Sequence, residues 1–413
     1  MQFTNARVRE NYARRFSIHY PNEELQAARP LLTTPIYDKQ KAAGAQFGAA
    51  YGLEIPLWYA PKNTSDVFSW RRSTDFDHVG AEARAVRGSV GLSDISGFAK
   101  YRVSGSGAAD WHDHILACRL PAVGRMVLAP MLKDDGKIIG DFSLSRLDDD
   151  SFLIIGSGIA ESYHMRWFLA HLPDTGDVEI NSLGLDLVGL TLAGPKSRDV
   201  LQSCVSVDIS HDSMRFIAIK QIDICMIPAI VGRVSYTGDL GYEIWVAPAY
   251  LNSLFDQLMT AGAAHHIRLF GSRALNALRL EKNYGSWGSE YRPTYGPVET
   301  GLDAFVAYDK PADFIGKSAA LAERDSGGTM RLCSFVIEAK DADVIGDEPI
   351  AHDGTIVGWV TSGGYAHGAG KSMAQGYVPK NIADDDSGWS VELLGQILPA
   401  KRQKNPLAHN TEV

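Results

Sequence analysis

The sequence has 413 residues, which suggests about three domains at the usual size of roughly 150 residues each. Apolar residues make up 45% of the chain and charged residues 22%, as in ordinary soluble globular proteins, so fibrous, disordered and disulfide-rich classes are disfavoured. The chain has 40 Lys and Arg against 49 Asp and Glu, a net charge of −9. This balance excludes a general electrostatic attraction to nucleic acid or to anionic lipid.

The cysteines and the N-terminus indicate a cytoplasmic protein. The first sixteen residues are charged throughout and lack the apolar core of a signal peptide. No later stretch approaches the roughly 18 apolar residues of a membrane-spanning helix. The four cysteines form no C-x-x-C pair, which favours reduced thiols over a zinc or redox motif: Cys118, Cys204, Cys225 and Cys333.

The first third of the chain contains an irregular segment, a helix and then strands. Residues 1–60 combine a charged stretch with a Gly-, Pro- and aromatic-rich one, which predicts an N-terminal arm that wraps around a core. The segment HVGAEARAVRGSVGLSDIS has Ala83, Val86 and Val90 at helical spacing, which predicts a helix that Gly91 stops. The strand AKYRVSG follows, and then two strands flank Asp135-Gly136, a strong hairpin signal.

The middle and the end of the chain predict an α+β protein. A strand, a glycine turn and a helix begin at Ser151, and a second hairpin turns at 237–241 before another helix. Because hairpins are mixed with single helices, a doubly wound parallel sheet is disfavoured. Residues 326–413 contain short strands with Gly-rich turns, which predicts a small β-barrel. We therefore expect an arm, a two-lobed α+β region over residues 61–325, and the barrel.

Two sequence features resemble functional motifs but have simpler explanations. Gly156 and Gly158 follow a strand and open a helix, yet Glu161 occupies the place of the third glycine in a dinucleotide-binding turn. His112 and His114 lie two residues apart, so a helix would point them to different faces, which disfavours a metal site. The sequence thus predicts an ordinary tight turn and no metal centre.

Asp141 is the clearest candidate functional residue because it interrupts an apolar strand. The two possible hairpin registers place either Leu128 or Pro130 opposite it, and Leu128 is its neighbour in both. If this face is covered, the carboxylate loses its water, which is costly unless it pairs or acts on a ligand. The alternative is a solvated strand face shared with Ser143 and Ser145.

For five further polar residues, the sequence leaves open whether they bind a ligand or lie on the solvated surface. Tyr236, Asp239 and Glu243 surround the second predicted hairpin, where they either bind a ligand or face solvent. Arg279 and Glu281 lie on a predicted helix, where an exposed ion pair is the default expectation.

Taken together, eight segments resemble the folate-binding aminomethyltransferase family. This family includes the T-protein of the glycine cleavage system, the C-terminal half of dimethylglycine and sarcosine dehydrogenases, and tetrahydrofolate-dependent demethylases. Any one segment is a weak signal, but the eight occur in the family's order. They are VGLSDIS (90–96), GKIIGDFSL (136–144), LTLAGPKSRDVL (190–201), YTGDLGYEIWV (236–246), ALRLEKNYGSWGSE (277–290), PVETGL (297–302), DFIGK (313–317) and VGWVTSGGY (357–365).

The N-terminal arm resembles the segment that joins the flavin and folate regions of those dehydrogenases, which are the closest in character. The sequence has no N-terminal G-x-G-x-x-G, so we expect no flavin oxidation within this chain. The resemblance therefore implies a folate-dependent one-carbon transferase, with tetrahydrofolate as cofactor and a separate flavoprotein or folate-recycling enzymes as possible partners.

The resemblance also implies a three-part cloverleaf fold around a folate cavity and assigns roles to individual residues. Asp141 matches the family's catalytic aspartate, and Glu243 matches the acid that recognises the pterin ring. Tyr236 and Arg279 match motif positions near the cofactor. Leu128 replaces a tyrosine found in many members, so an apolar wall is expected beside Asp141. Because folate is an anion, we expect basic residues at the cavity mouth.

From these features the favoured function is a demethylase that moves a methyl group from a methoxy-aromatic acid to N5 of tetrahydrofolate. The alternatives are an aminomethyltransferase or the folate subunit of a dimethylglycine or sarcosine oxidase, a demethylase of a sulfonium or N-methyl donor, and a non-catalytic folate-binding protein. Aromatic side chains would wall the donor pocket; the candidates are Trp58, Tyr59, Trp111, Trp287 and Tyr295.

Overall fold

A computed structural model describes residues 1–408 and has the mixed α+β composition expected from the sequence. Its helices are α1 (Gln2–Arg14), α2 (Tyr37–Ala42), α3 (Asp75–Gly88), α4 (Ala108–Ile115), α5 (Glu161–Ala170), α6 (Ser197–Gln202), α7 (Pro248–Gly262), α8 (Ser272–Glu281), α9 (Pro297–Thr300) and α10 (Lys317–Ser326). In the described part of the chain, no helix is long and apolar enough to cross a membrane.

A two-stranded ribbon in the N-terminal arm precedes the first large sheet, here called sheet 1. The ribbon consists of β1 (Ala45–Ala50) and β2 (Leu53–Tyr59). Sheet 1 has five antiparallel strands in the order β5-β6-β7-β4-β8. Its strands are β4 (Ala99–Ser104), β5 (Arg125–Leu132), β6 (Ile138–Asp148), β7 (Ser151–Gly156) and β8 (Glu179–Ser182), and β3 (Gly91–Asp94), which precedes them, belongs to the next sheet.

The second large sheet, sheet 2, and the C-terminal barrel complete the fold. Sheet 2 has the order β10-β11-β12-β9-β3-β13, with β9 (Val188–Ala193), β10 (Ile219–Ile224), β11 (Ile227–Gly232), β12 (Gly241–Val246) and β13 (Arg268–Leu269). The closed barrel has the order β14-β17-β16-β15-β18-β19. Its strands are β14 (Met330–Ile337), β15 (Pro349–His352), β16 (Thr355–Ala366), β17 (Lys371–Pro379), β18 (Trp389–Leu393) and β19 (Gln396–Gln403).

Sheets 1 and 2 face each other across a shared apolar layer. Leu153 and Ile155 of β7 belong to the same buried cluster as Trp245 of β12 and the partly buried Ile230 of β11. Side chains on one strand alternate between its two faces, and paired residues share a face. Other residues that share a face with these cluster residues therefore also lie between the two sheets. Asp141 and Glu243, the candidate carboxylates, are among them.

Some sequence expectations about local structure were wrong. The helix predicted to end at Gly91 ends at Gly88, and Gly91 begins strand β3 instead. Gly91 serves close packing rather than a helix end, because an added Cβ would lie 2.5 Å from Val86 and 2.7 Å from Phe270. The division at residues 60 and 325 stays a prediction, and residues 409–413 of the predicted barrel region lie outside the described residues.

Candidate functional site

The hairpin of β5 and β6 places Asp141 opposite Pro130. Pro130 pairs with Asp141 and Leu128 with Ser143, so the structure selects one of the two registers that the sequence allowed. Leu128 remains a diagonal neighbour on the same face. This face is the one that carries Leu153 and Ile155 on the next strand, because Ser143 pairs with Ile155 and Ser145 with Leu153. Asp141 thus points into the space between sheets 1 and 2.

The Asp141 carboxyl group is desolvated and incompletely satisfied. Its Oδ1 atom is buried and accepts no hydrogen bond from any of residues 1–408. Burial raises the pKa of Asp141 from 3.8 to about 7, and the negative charge of Glu290 contributes in the same direction. The covered face, rather than the solvated one, is therefore the alternative that the structure supports. A carboxyl group with this pKa holds or releases a proton near neutral pH.

Glu243 reaches the same space from sheet 2. It lies on β12 and pairs with Gly232 of β11 and Thr191 of β9. A Cβ added to Gly232 would lie 2.9 Å from the sulfur of Met126 on β5, and Met126 shares a strand face with Leu128 and Pro130. Glu243 and Asp141 therefore line opposite walls of one inter-sheet space.

Glu243 also lacks a partner. Within residues 1–408 its carboxylate forms no hydrogen bond or ion pair. Burial alone raises its pKa from 4.5 to about 7. A buried carboxylate without a partner is costly, so this position indicates a ligand-binding site.

Tyr236 lies close to Asp141 but its hydroxyl group is already bound within the protein. It donates a hydrogen bond to the carbonyl oxygen of Gly285 at 2.5 Å, and its ring stacks on Tyr284 with 6.2 Å between centroids. Burial raises the pKa of Tyr236 to about 12, and the charge of Asp141 adds to this effect. Tyr236 therefore remains a neutral phenol beside the carboxylate.

Arg279 has a structural environment that the sequence did not indicate. Its guanidinium donates to Glu290 Oε2 at 3.0 Å, to Gln375 at 2.9 Å, to Ser362 at 2.8 Å and to the carbonyl oxygen of Tyr284 at 2.8 Å. Its donors are thus used to join α8 to the segment that follows it and to the barrel. Its predicted contact with the cofactor gains no support from this arrangement.

The exposed ion pair predicted between Arg279 and Glu281 was wrong. Both side chains are buried, with 3% and 1% of their surface exposed. Glu281 binds Arg87 at 3.0 Å instead, and Arg87 also pairs with Asp239. The two residues are only two positions apart on α8, so they face different directions.

The predicted aromatic candidates divide into two groups. Trp287 lies with Leu128 against the buried cluster that contains Tyr291, so it is close to the Asp141 end of the inter-sheet space. The other four are almost fully buried among apolar or aromatic neighbours: Trp58 and Tyr59 at the base of the arm, Trp111 on α4, and Tyr295 stacked on Tyr377. We therefore retain only Trp287 as a candidate for the donor pocket.

A separate cavity of about 480 Å³ lies between the arm, α8 and the barrel. Its lining includes Arg72, Arg273 and Arg279 but not Asp141 or Glu243. Arg72 pairs with Asp343 at 2.7 Å, and Arg273 pairs with Asp75 at 2.8 Å. The basic residues of this cavity are thus neutralised by acids, and the basic cavity mouth expected from the sequence stays a prediction.

Comparison with known proteins places this fold and site in a family. Residues 36–310 match the model for the GCVT N-terminal domain, residues 331–408 match the glycine cleavage T-protein C-terminal barrel domain, and residues 1–34 match the FAD dependent oxidoreductase central domain. The chain belongs to the glycine cleavage T-protein family, which confirms the family resemblance. Proteins of this family use tetrahydrofolate, as the sequence predicted.

Individual relatives support the same assignment. The chain is 36% identical to dimethylglycine dehydrogenase of Mus musculus over 98% of its own length and 47% of that protein. It is 29% identical to 4-methylaminobutanoate oxidase (formaldehyde-forming) of Paenarthrobacter nicotinovorans, over 98% of this chain and 49% of that one. The chain thus spans about half the length of these curated relatives.

A shorter relative and a solved structure match over nearly their whole length. An aminomethyltransferase of Desulforamulus reducens is 26% identical over 91% of this chain and 98% of its own. The aminomethyltransferase T of Bartonella henselae has a TM-score of 0.79 at 23% identity, covering 92% of this chain and 98% of that one. This similarity confirms the predicted cloverleaf fold with its C-terminal barrel.

The residues of the inter-sheet space fit tetrahydrofolate. A reduced pterin ring carries several N–H donors, and ionised carboxylates are acceptors only. The unsatisfied Oδ1 of Asp141 and the unpartnered carboxylate of Glu243 supply acceptors on opposite walls of the space. The structure does not test the individual roles of Asp141, Glu243, Tyr236, Arg279 and Leu128, which stay predictions.

Proposed function

We propose that this chain transfers a one-carbon unit from an N-methyl group, released by a flavin-dependent oxidase, to tetrahydrofolate, giving methylenetetrahydrofolate. The observation that carries the proposal is a pair of desolvated carboxyl groups in one space of a T-protein fold: Asp141, whose Oδ1 is unsatisfied, and Glu243. Support for the donor class comes from the relatives named for dimethylglycine and 4-methylaminobutanoate. They favour this reaction over the methoxy-aromatic demethylation expected from the sequence.

Bound tetrahydrofolate would supply the nucleophilic nitrogen that accepts the carbon. The carbonyl oxygen of the captured formaldehyde would leave as water, with the two N–H protons of the folate. Asp141 would accept through Oδ1 the proton that this nitrogen loses, return it to the departing oxygen, and stabilise the positive charge that develops on the nitrogen. Glu243 holds the pterin edge in one orientation. Leu128 and Trp287 exclude water from the reacting atoms. The chain's own residues would thus bind and orient the folate and move one proton.

In the test, the one-carbon unit is generated in the assay mixture. A separate flavin oxidase acts on dimethylglycine or sarcosine, and mass spectrometry follows the partition between free formaldehyde and methylenetetrahydrofolate. We expect the chain to accelerate capture above the spontaneous reaction, and Asp141→Asn to remove most of this acceleration, about 100-fold or more for a lost acid–base group. The control is Asp149→Asn, because Asp149 is exposed just beyond the same strand.

Capture at the protein-free rate would contradict the proposal, as would full activity in Asp141→Asn. The second candidate, demethylation of a methoxy-aromatic acid, is favoured by the apolar Leu128 beside Asp141. Its product is 5-methyltetrahydrofolate, which differs in mass. Formation of this product from methoxybenzoates, without capture of the N-methyl carbon, would replace the first function by the second.

A further inference from the structure

A buried carboxylate, Glu290, lies where three parts of the fold meet. It belongs to segment 284–291, which follows α8 and folds on itself. The backbone N–H groups of Glu290 and Tyr291 both donate to the Ser286 carbonyl at 3.1 Å, and that of Gly288 donates to the Tyr291 carbonyl at 2.9 Å. None of the Glu290 surface is exposed.

Four donors from different elements satisfy this carboxylate. Oε2 accepts from the Ser286 backbone N–H at 2.9 Å and from Arg279 of α8 at 3.0 Å. Oε1 accepts from the Thr361 hydroxyl at 2.7 Å and from the Ser362 hydroxyl, both on β16 of the barrel. Glu290 therefore fastens segment 284–291 to α8 and to the barrel at one point.

The fastened segment reaches the Asp141 end of the inter-sheet space. Its Gly285 carbonyl accepts the Tyr236 hydroxyl. A Cβ added at Gly285 would lie 2.5 Å from the Tyr291 ring, so this ring rests directly on the segment's own backbone. Tyr291 in turn belongs to the cluster against which Leu128 packs.

We propose that Glu290 is a positioning residue for the Asp141 site. By fastening segment 284–291, it holds Tyr291 over the space beside Leu128 where the one-carbon donor binds. The identity of the donor rests on the proposed function, but the fastening of the segment does not.

The same placement gives Glu290 an electrostatic effect on Asp141. Within residues 1–408 no cation pairs with the Asp141 carboxylate. The groups around it are acidic, phenolic or apolar: Glu290 and Tyr291 from the segment, Tyr236 from the β11–β12 connection, and Leu128 and Pro130 from β5. Removing the Glu290 charge therefore favours the ionised form of Asp141.

The experiment compares Glu290→Gln with Glu299→Gln. Glu299 is a matched control because it is 3% exposed and joins α9 to the barrel by accepting from the Thr329 backbone N–H at 3.0 Å, but it does not bond to segment 284–291. In Glu290→Gln we expect hydrogen exchange of the segment to become about tenfold faster or more, since a charged hydrogen bond is lost. Glu299→Gln should leave exchange of the segment unchanged.

Two activity readouts separate positioning from general stability. In Glu290→Gln the acid limb of the pH–rate profile should move to lower pH by about half a unit, with a raised KM for the donor. Glu290→Asp keeps the charge but shortens the reach, so it should restore the pH profile while the segment still exchanges faster. Equal effects of Glu290→Gln and Glu299→Gln on the exchange of segment 284–291 would overturn the proposal.

An unshifted pH profile in Glu290→Gln would overturn it as well. Failure of the proposed function would show differently, because the wild-type protein would then capture no carbon while the exchange difference between Glu290→Gln and Glu299→Gln remained.

Discussion

The two carboxyl groups of the inter-sheet space are expected to oppose folding at neutral pH. For Asp141 the pKa rises from 3.8 to about 7 on folding, and for Glu243 it rises from 4.5 to about 7. Between these values the folded state binds more protons than the unfolded state, so stability falls as pH rises. If Asp141 and Glu243 bind folate as proposed, the site favours ligand binding over stability.

Asp141→Asn should therefore be more stable than the wild type at pH 8 and equally stable near pH 4. The neutral amide avoids the cost of ionising a buried group, on the order of a few kcal/mol at most. Thermal unfolding across this pH range measures the difference. A stability gain at pH 4 as large as that at pH 8 would show that the effect is not caused by ionisation.

The wild-type rate should rise as pH increases through about 7. Asp141 accepts a proton only when ionised, and its pKa is raised to about 7. Initial rates of methylenetetrahydrofolate formation between pH 5 and pH 9 test this. A rate that is already maximal at pH 5 would contradict the role of Asp141 as proton acceptor.

Glu243→Gln should weaken binding of a stable reduced folate such as 5-formyltetrahydrofolate by about 10- to 100-fold, the usual cost of losing a charged hydrogen bond. Isothermal titration calorimetry measures the affinity. Asp223→Asn serves as control because Asp223 is an exposed acid on the same sheet. Unchanged affinity in Glu243→Gln would place the pterin ring elsewhere.

Sequence reasoning located these residues better than it located their partners. Asp141 was found because a charge interrupts an apolar strand, and Glu243 because its motif resembles a family pattern. Two of the four hydrogen-bond donors to Glu290 lie 71 and 72 positions further along the chain. No local sequence pattern predicts a contact between residues so far apart. The hydrogen bonds of Glu290 and the burial of Arg279 are therefore evident only from the structure.

At the scale of elements, the local sequence predicts where the β5–β6 hairpin turns but not which residues of its two strands pair. The Asp135-Gly136 turn predicted the β5–β6 hairpin, because Gly136 takes the positive φ of +77° that the turn requires. The turn alone leaves two registers open for the hairpin. The β-bulge between Met131 and Leu132 then sets Pro130 opposite Asp141.

Segment 284–291 offers a test at this scale. Gly285→Ala should place a methyl group 2.5 Å from a Tyr291 ring atom, which costs about 1–3 kcal/mol of overpacking and should displace the Tyr291 ring. Chemical denaturation measures the free energy of unfolding. Gly88→Ala is the control, since an added Cβ there meets nothing within 4 Å; equal effects would mean that the contact with Tyr291 is not the cause.

At the scale of the whole molecule, the N-terminal arm has an unpartnered apolar surface. Helix α1 has no buried residue, and Val8 and Phe16 are 57% and 91% exposed. Residues 1–34 match the central domain of FAD dependent oxidoreductases. On the proposed function, we therefore predict that this surface docks a flavin-dependent oxidase.

Replacing Val8 and Phe16 together by Ser should weaken this association by about tenfold or more, since each buried apolar side chain contributes roughly 1.5–3 kcal/mol. The thermal stability of the chain alone should not change. Biolayer interferometry against a flavin-dependent dimethylglycine oxidase measures the affinity. Ile397→Ser, at a barrel position that is 76% exposed, controls for loss of surface hydrophobicity; equal losses would place the docking surface elsewhere.

The hydrogen bonds between Glu290 and the barrel also have a consequence for protein synthesis. Arg279 and Glu290 leave the ribosome before Thr361 and Ser362, and chains generally fold from the N-terminus as they emerge. Until β16 is made, the Glu290 carboxylate lacks its two hydroxyl donors, and segment 284–291 has no anchor on the barrel. Nascent chains arrested before residue 361 should therefore fold sheets 1 and 2 yet leave segment 284–291 unanchored beside the Asp141 site, so that a complete donor pocket forms only when translation is nearly finished.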